Sequence, residues 1–159
     1  MKILIVSDTH GRNGRFRTVY EQVGPVDMVL HMGDVEGTED ELESIVDCPL
    51  YAVAGNNDFF TELPRERELK IGKYRVLQCH GHYYRVSMTN RLLADEAKAR
   101  GCDIAMYGHT HRPVVEYVDG VTLLNPGSLS FPRQENRRPS YIIMEIDRQG
   151  EAHYTICYM

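Results

Sequence analysis

The chain has 159 residues, of which 42% are hydrophobic, and a net charge of -5. That length fits a single domain spanning 1–159, with a core large enough to need no staples. The acidic balance and the lack of a basic stripe argue against a protein that wraps duplex nucleic acid, leaving small phosphoesters and short nucleotides open as ligands.

The N-terminal apolar run ends at polar Ser7 and Asp8, too soon for a signal-peptide core, and no stretch approaches the length of a membrane span. Cys48, Cys79, Cys102 and Cys157 are scattered and lack CxxC spacing. They read as reduced thiols packed mostly inside, which points to the cytoplasm.

Residues 2–6 form a short apolar run ended by turn residues, the pattern of a buried strand. The spacing predicts a helix over 15–23, with Asn13 or Gly14 near its start and Gly24-Pro25 ending it. A second apolar run covers 28–31 and stops before Gly33. A helix is expected over 38–45, with Thr38 as N-cap and Glu41 completing a capping box. A third strand covers 50–53 before Gly55. This alternation implies parallel strands joined by helical crossovers.

The pattern then changes. Residues 68–71 and 75–78 flank Gly72-Lys73 as a hairpin, and 89–100 form a helix stopped by Gly101. A short buried strand covers 104–107. Residues 114–118 and 121–124 flank Asp119-Gly120, a two-residue hairpin turn. A last hairpin pairs 141–146 with 152–158. The fold class expected is α/β: two mixed β-sheets packed face to face and flanked by helices.

Five of these strands end in polar residues beside glycine. They are Ser7-Asp8-Thr9-His10-Gly11, Met32-Gly33-Asp34, Gly55-Asn56-Asn57-Asp58, His80-Gly81-His82 and Gly108-His109-Thr110-His111. Sites in open α/β sheets form at the carboxyl ends of strands, so the five segments are expected to converge. Asp8, His10, Asp34, Asn56, His80, His109 and His111 make a mixed oxygen and nitrogen set without thiolate. Such a set suits manganese, zinc, iron or nickel better than calcium. Seven donors exceed what one ion needs, and two ions sharing a carboxylate would use them all. Two-metal sites act on phosphoryl groups. Two divalent ions at about +4, two aspartates at about -2 and a shared hydroxide at about -1 leave about +1, which matches a phosphodiester. His31, inside an apolar run, reads as a core histidine. Phe59-Phe60 and Tyr83-Tyr84 read either as partners for an aromatic leaving group or as contact surface.

This ordered set, Asp8-x-His10, Gly33-Asp34, Gly55-Asn56-x-Asp58, His80-Gly81 and Gly108-His109-x-His111, resembles the signature of the calcineurin-like metallophosphoesterases. The short chain and Asn125-Pro126-Gly127-Ser128 are similar to the small prokaryotic YfcE-type phosphodiesterase branch. The resemblance implies a four-layer α-β-β-α sandwich and two divalent ions, manganese foremost, with zinc, iron and nickel as alternatives. It implies Asp8, His10 and His111 on one ion, Asn56, His80 and His109 on the other, and Asp34 bridging. A hydroxide shared by the ions would attack phosphorus in line. Asp58 would orient a ligand or a loop, His82 is a candidate proton donor, and Arg12 and Arg112 are candidate substrate contacts. Many family members carry histidine where Asn57 stands, and asparagine cannot supply a proton at neutral pH. A small phosphoester is the expected partner, and a homo-oligomer stays open. The competing readings are a non-catalytic scaffold like the retromer subunit of this fold, and a nuclease of the same superfamily.

Overall fold

The computed structural model describes all residues, Met1–Met159. In chain order the elements are β1 (Lys2–Val6), α1 (Gly14–Val23), β2 (Met28–His31), α2 (Glu39–Ile45) and β3 (Leu50–Ala52). The second half follows with β4 (Glu66–Ile71), β5 (Tyr74–Cys79), α3 (Arg91–Ala99), β6 (Ile104–Met106) and β7 (Pro113–Val118). It closes with β8 (Val121–Pro126), β9 (Ser140–Ile146) and β10 (Ala152–Tyr158).

The strands form two five-stranded sheets, ordered β10-β9-β1-β2-β3 and β4-β5-β6-β8-β7. β1, β2 and β3 run parallel, and β9 joins β1 antiparallel. In the other sheet β5, β6 and β8 run parallel, and β4 and β7 are antiparallel edges. Val118 pairs with Val121, so Asp119 and Gly120 alone make the turn, with φ of 48° and 97°. Positive φ at both positions is what a type I′ turn requires.

Alternation along β1 shows how the layers stack. Ile3 and Ile5 face the other sheet, in a cluster with Leu30, Ile142, Val76, Ile104 and Leu124. Leu4 and Val6 face the opposite way, against Phe16 and Val19 of α1 and Leu42 of α2. On the far side Leu77, Ala105 and Leu123 pack against Leu93, Ala94 and Ala97 of α3. β1 is thus apolar on both faces because both are covered, which is why it lacks a polar alternation. The result is a four-layer α-β-β-α sandwich.

One local expectation fails. The Thr38 hydroxyl donates back to the Val35 carbonyl at 2.7 Å, so it does not cap α2. Glu41 accepts from Asn13 Nδ2 at 2.9 Å, a contact to the loop before α1 in place of the capping box.

Candidate metal centre

The loops that follow β1, β2, β3, β5 and β6 meet at one end of the sandwich. Asp8, His10, Asp34 and His111 each offer a ligand atom, and these atoms lie within 4.8 Å of one another. His111 Nε2 is 3.0 Å from Asp8 Oδ1, and His10 Nε2 is 3.4 Å from His111 Nε2. Beside this set stands a second. Asn56 Oδ1 lies 3.1 Å from His80 Nε2 and 2.8 Å from His109 Nδ1. Asp34 Oδ2 reaches both sets, 3.8 Å from His10 Nε2 and 3.5 Å from His80 Nε2. All seven candidate ligands therefore come together, with Asp34 between two groups of three.

Hydrogen bonds on the far side of the rings fix which nitrogen faces inward. His10 Nδ1 lies 2.7 Å from Glu36 Oε1, His80 Nδ1 2.6 Å from the Met32 carbonyl and His111 Nδ1 2.7 Å from the Phe131 carbonyl. A carbonyl or carboxylate accepts only, so each Nδ1 carries a proton, and in the neutral ring, the form that binds a metal, each Nε2 turns a lone pair inward. His10 Nε2, His111 Nε2 and the Asp8 and Asp34 oxygens are then acceptors facing acceptors. Asp8 Oδ1 is buried with no hydrogen bond at all; His111 is close enough for an ion pair but out of hydrogen-bond geometry. Buried acceptors turned toward one another are costly unless a cation lies between them. The donor chemistry fits divalent transition metals.

The backbone carries strain to bring this about. Asp8, His10, Asp34, His109 and His111 all have left-handed φ, between 47° and 65°. Non-glycine residues seldom adopt that region, and such strain clusters at functional sites. Glycine allows the loops to close on each other. A Cβ on Gly33 would sit 2.8 Å from His80 Nδ1, one on Gly108 would strike Ser7 Oγ, and one on Gly55 would strike Asp34 Oδ1.

A family model described as the calcineurin-like phosphoesterase superfamily domain matches residues 1–149. The chain belongs to the calcineurin-like phosphoesterase superfamily. It is 35% identical to a probable metallophosphoesterase of Mycoplasma pneumoniae, over 92% of this chain and 91% of that one. It is 27% identical to the phosphodiesterase YfcE of Escherichia coli, over 86% and 83% of the two chains. Among solved structures, a predicted phosphoesterase from Streptococcus pneumoniae superposes with a TM-score of 0.81 and 29% identity, covering 99% and 97%. Vps29 from Entamoeba histolytica superposes with a TM-score of 0.79 at 24% identity, covering 100% and 99%, a likeness of fold alone. Family and donor cluster together support divalent metal binding in this phosphoesterase.

Other predicted residues of this phosphoesterase lie around the cluster. The Asp58 carboxylate accepts from the backbone N–H of Asp34, Glu36 and Gly55 at 2.7–2.8 Å, so it ties two ligand loops together. Asn57 donates from N and Nδ2 to the two Asp34 oxygens, at 2.9 and 2.8 Å. Arg12 lies over the Phe131 ring at 4.6 Å, and that ring is edge-on to His10. Arg112 is exposed and lines a different hollow, with Asn90, Tyr107 and Arg133, outside the seven-residue cluster. His82 lies beside the second group, its ring 5.4 Å from His80 and 6.0 Å from His109. Burial, then the neighbouring His80 and His109, pushes its pKa down to about 4. At neutral pH it is an uncharged ring and a poor proton donor.

Asp8 behaves in the opposite sense. Burial opposes its charge, but His111, His80 and the Ser7 hydroxyl outweigh that and hold its pKa at about 2. Burial pulls His111 down while pairing with Asp8 pulls it up more strongly, and the net shift is upward. His31 is the buried histidine expected: Gly33 N–H donates to its Nδ1 at 3.2 Å, and Thr9 Oγ1 lies 3.1 Å from its Nε2.

Residues outside the five ligand segments brace them. Glu36 holds His10. Ser128 Oγ donates to the Asp8 carbonyl at 2.8 Å, and Ser130 Oγ to the Thr9 carbonyl at 2.6 Å. Asn125 Nδ2 donates to the Gly108 carbonyl and to Thr110 Oγ1, at 2.8 and 3.0 Å, which gives the Asn125-Pro126-Gly127-Ser128 turn a job in supporting the site. No helix is long and apolar enough to cross a membrane.

Proposed function

We propose that this phosphoesterase is a dinuclear metal enzyme, with phosphodiesters as its preferred substrates. Asp8, His10 and His111 are assigned to one divalent ion and Asn56, His80 and His109 to the other, with Asp34 shared. The observation that carries the reading is the convergence of lone pairs from seven side chains on five loops, three of the rings locked by acceptors behind them. When bound, the ions would acidify a water and stabilise negative charge on the phosphoryl oxygens. Manganese is the first choice, and zinc, iron and nickel suit the same donors.

The chain's own residues set the rest. Glu36 and the Met32 and Phe131 carbonyls hold the imidazoles in the ligating tautomer. Arg12, close to the first group through Phe131, is assigned to a non-bridging phosphoryl oxygen. Arg112, away from the cluster, is given at most an outer contact with substrate. No side chain here is well placed and protonated to assist a poor leaving group. Asn57 is not an acid, and His82 is neutral at pH 7. Nearby cations would depress His82 further. Good leaving groups, as in aryl phosphodiesters, are therefore favoured over alkyl monoesters.

The domain is proposed to work as one unit in the cytoplasm on a small phosphoester. The scaffold reading is favoured by no observation beyond the shared fold, and the nuclease reading by none. The test is direct. Protein stripped with chelator and reloaded with manganese is expected to hydrolyse bis(4-nitrophenyl) phosphate, and the stripped protein is not. Equal inactivity of both forms would overturn the proposal.

A further inference from the structure

The centre is closed on one side and open on another. Asp8, Asp34, His80 and His111 are buried, whereas Asn56 is exposed. Beside Asn56 lies a hollow of about 420 Å³, and Asn56 and His82 form part of its wall. A volume of that order holds a small organic group. Phe59, Phe60, Tyr83 and Arg65 also line it.

These rings are exposed to an extent that calls for an occupant. Phe59 is 75% and Tyr83 60% exposed, and Phe60 is fully exposed. Scattered exposed apolar residues are ordinary, but a cluster of aromatic rings around one hollow marks a binding surface. Phe60 also has a left-handed backbone, φ 59°, which a bulky side chain rarely adopts. Arg65 adds a cation, its guanidinium 5.3 Å from the Tyr83 ring centroid. It takes part in none of the molecule's ion pairs.

We propose that this hollow is a subsite for a planar aromatic arm of the substrate, of nucleobase type, stacking on Phe59 and packing against the exposed edge of Tyr83, whose faces carry His82 and Arg65, with the Arg65 guanidinium meeting its polar edge. The inference rests on the phosphoesterase reading, because the hollow and the metal centre share Asn56. A phosphorus held at the seven-residue cluster would send one ester arm past Asn56 into it. Aromatic faces take any base, since every base has a π-face, and a guanidinium serves the carbonyl and ring-nitrogen acceptors around a base. An aliphatic arm would use the rings poorly and the guanidinium not at all.

The experiment compares two competitive inhibitors of bis(4-nitrophenyl) phosphate hydrolysis by the manganese-loaded protein. Adenosine 5′-monophosphate and ribose 5-phosphate share the phosphate and the sugar and differ by the base. The nucleotide is expected to inhibit at least about tenfold more tightly, a ratio set by stacking on aromatic side chains. Tyr83→Leu and Phe59→Leu, each measured with both inhibitors, are expected to bring that ratio toward one. Equal inhibition in active wild-type protein overturns the subsite and leaves the phosphoesterase reading standing. So does a tenfold ratio that survives both substitutions, or a solution dimer that covers these rings. A loaded protein with no hydrolysis takes down both readings.

Discussion

Replacing His31 with asparagine should remove much of the acid lability of the metal-free fold. His31 is fully buried beneath the β1 and β2 loops, and its Nδ1 accepts the Gly33 N–H, so the ring is held neutral. Burial lowers its pKa from 6.5 to about 4; Asp8 and Asp34 pull it back up only in part, and His80 and His10 add to the fall. The unfolded chain takes up a proton below about 6.5, and the folded chain does not until about 4. Stability is therefore complete above pH 6.5 and lost as pH falls toward 4. At about 1.4 kcal/mol per pH unit the whole loss is about 3 kcal/mol, most of it reached by pH 4.5. Against a typical stability of about 5–15 kcal/mol that is readily measured. Urea unfolding followed by circular dichroism, in chelator from pH 7.5 to 4.5, gives the slope. His31→Asn keeps an oxygen for the Gly33 N–H and is expected to be less stable at pH 7.5, because its smaller side chain leaves a void. The wild type should lose about 2–3 kcal/mol more than the variant over that range. The other histidines are common to both proteins, so the difference between the two curves reports His31 together with its coupling to His80 and His10. Parallel curves would refute the argument that His31 is kept neutral by burial.

Further substitutions test separate parts of the site. Asp34→Asn should abolish activity and lower metal content to one ion per chain or fewer, since one carboxylate reaches both groups; full activity would refute the shared role. Glu36→Gln should weaken metal binding about 10–100-fold by loosening the His10 tautomer, read by metal titration. Gly108→Ala drives a methyl into Ser7 Oγ and to 2.8 Å from Asp8 Oδ2, so a stability loss of about 1–3 kcal/mol and a fall in metal affinity are expected. Asn57 already reaches Asp34 through its amide, so Asn57→His would set an imidazole beside the shared carboxylate. It is expected to raise alkyl monoester turnover by about 10²-fold or more at unchanged metal content, measured as phosphate released from glycerol 2-phosphate, with little change on 4-nitrophenyl phosphate, whose leaving group needs no proton.

The architecture was readable because the strands are short, apolar and fenced by turn residues. Gly24-Pro25, Gly101 and Asp119-Gly120 stop their elements where expected, and β1 to β3 begin and end within a residue of the predicted runs. The seven candidate ligands were readable for a related reason: each follows a strand end, and parallel strands send those ends to one place. Contacts set by tertiary structure were not. Thr38 looked like an N-cap, yet its hydroxyl finds the Val35 carbonyl first, and Glu41 is taken by Asn13 from the loop before α1. Glu36 lies 26 residues from His10, and Ser130 braces backbone 121 residues away, so no local pattern announces them, whereas Ser128 belongs to the Asn125-Pro126-Gly127-Ser128 turn that the sequence displays. Arg12 and Arg112 both adjoin ligand segments in sequence. Only Arg12 is brought near the cluster, through its stacking on Phe131, because the turn at His111 carries Arg112 toward another hollow.

Anomalous diffraction at the manganese edge, from crystals grown with the metal, tests the core of the account most directly. Two peaks are predicted, one among Asp8, His10 and His111 and one among Asn56, His80 and His109, with the Asp34 carboxylate touching both. A single peak elsewhere, or imidazoles turned away from each other around no peak, would contradict it.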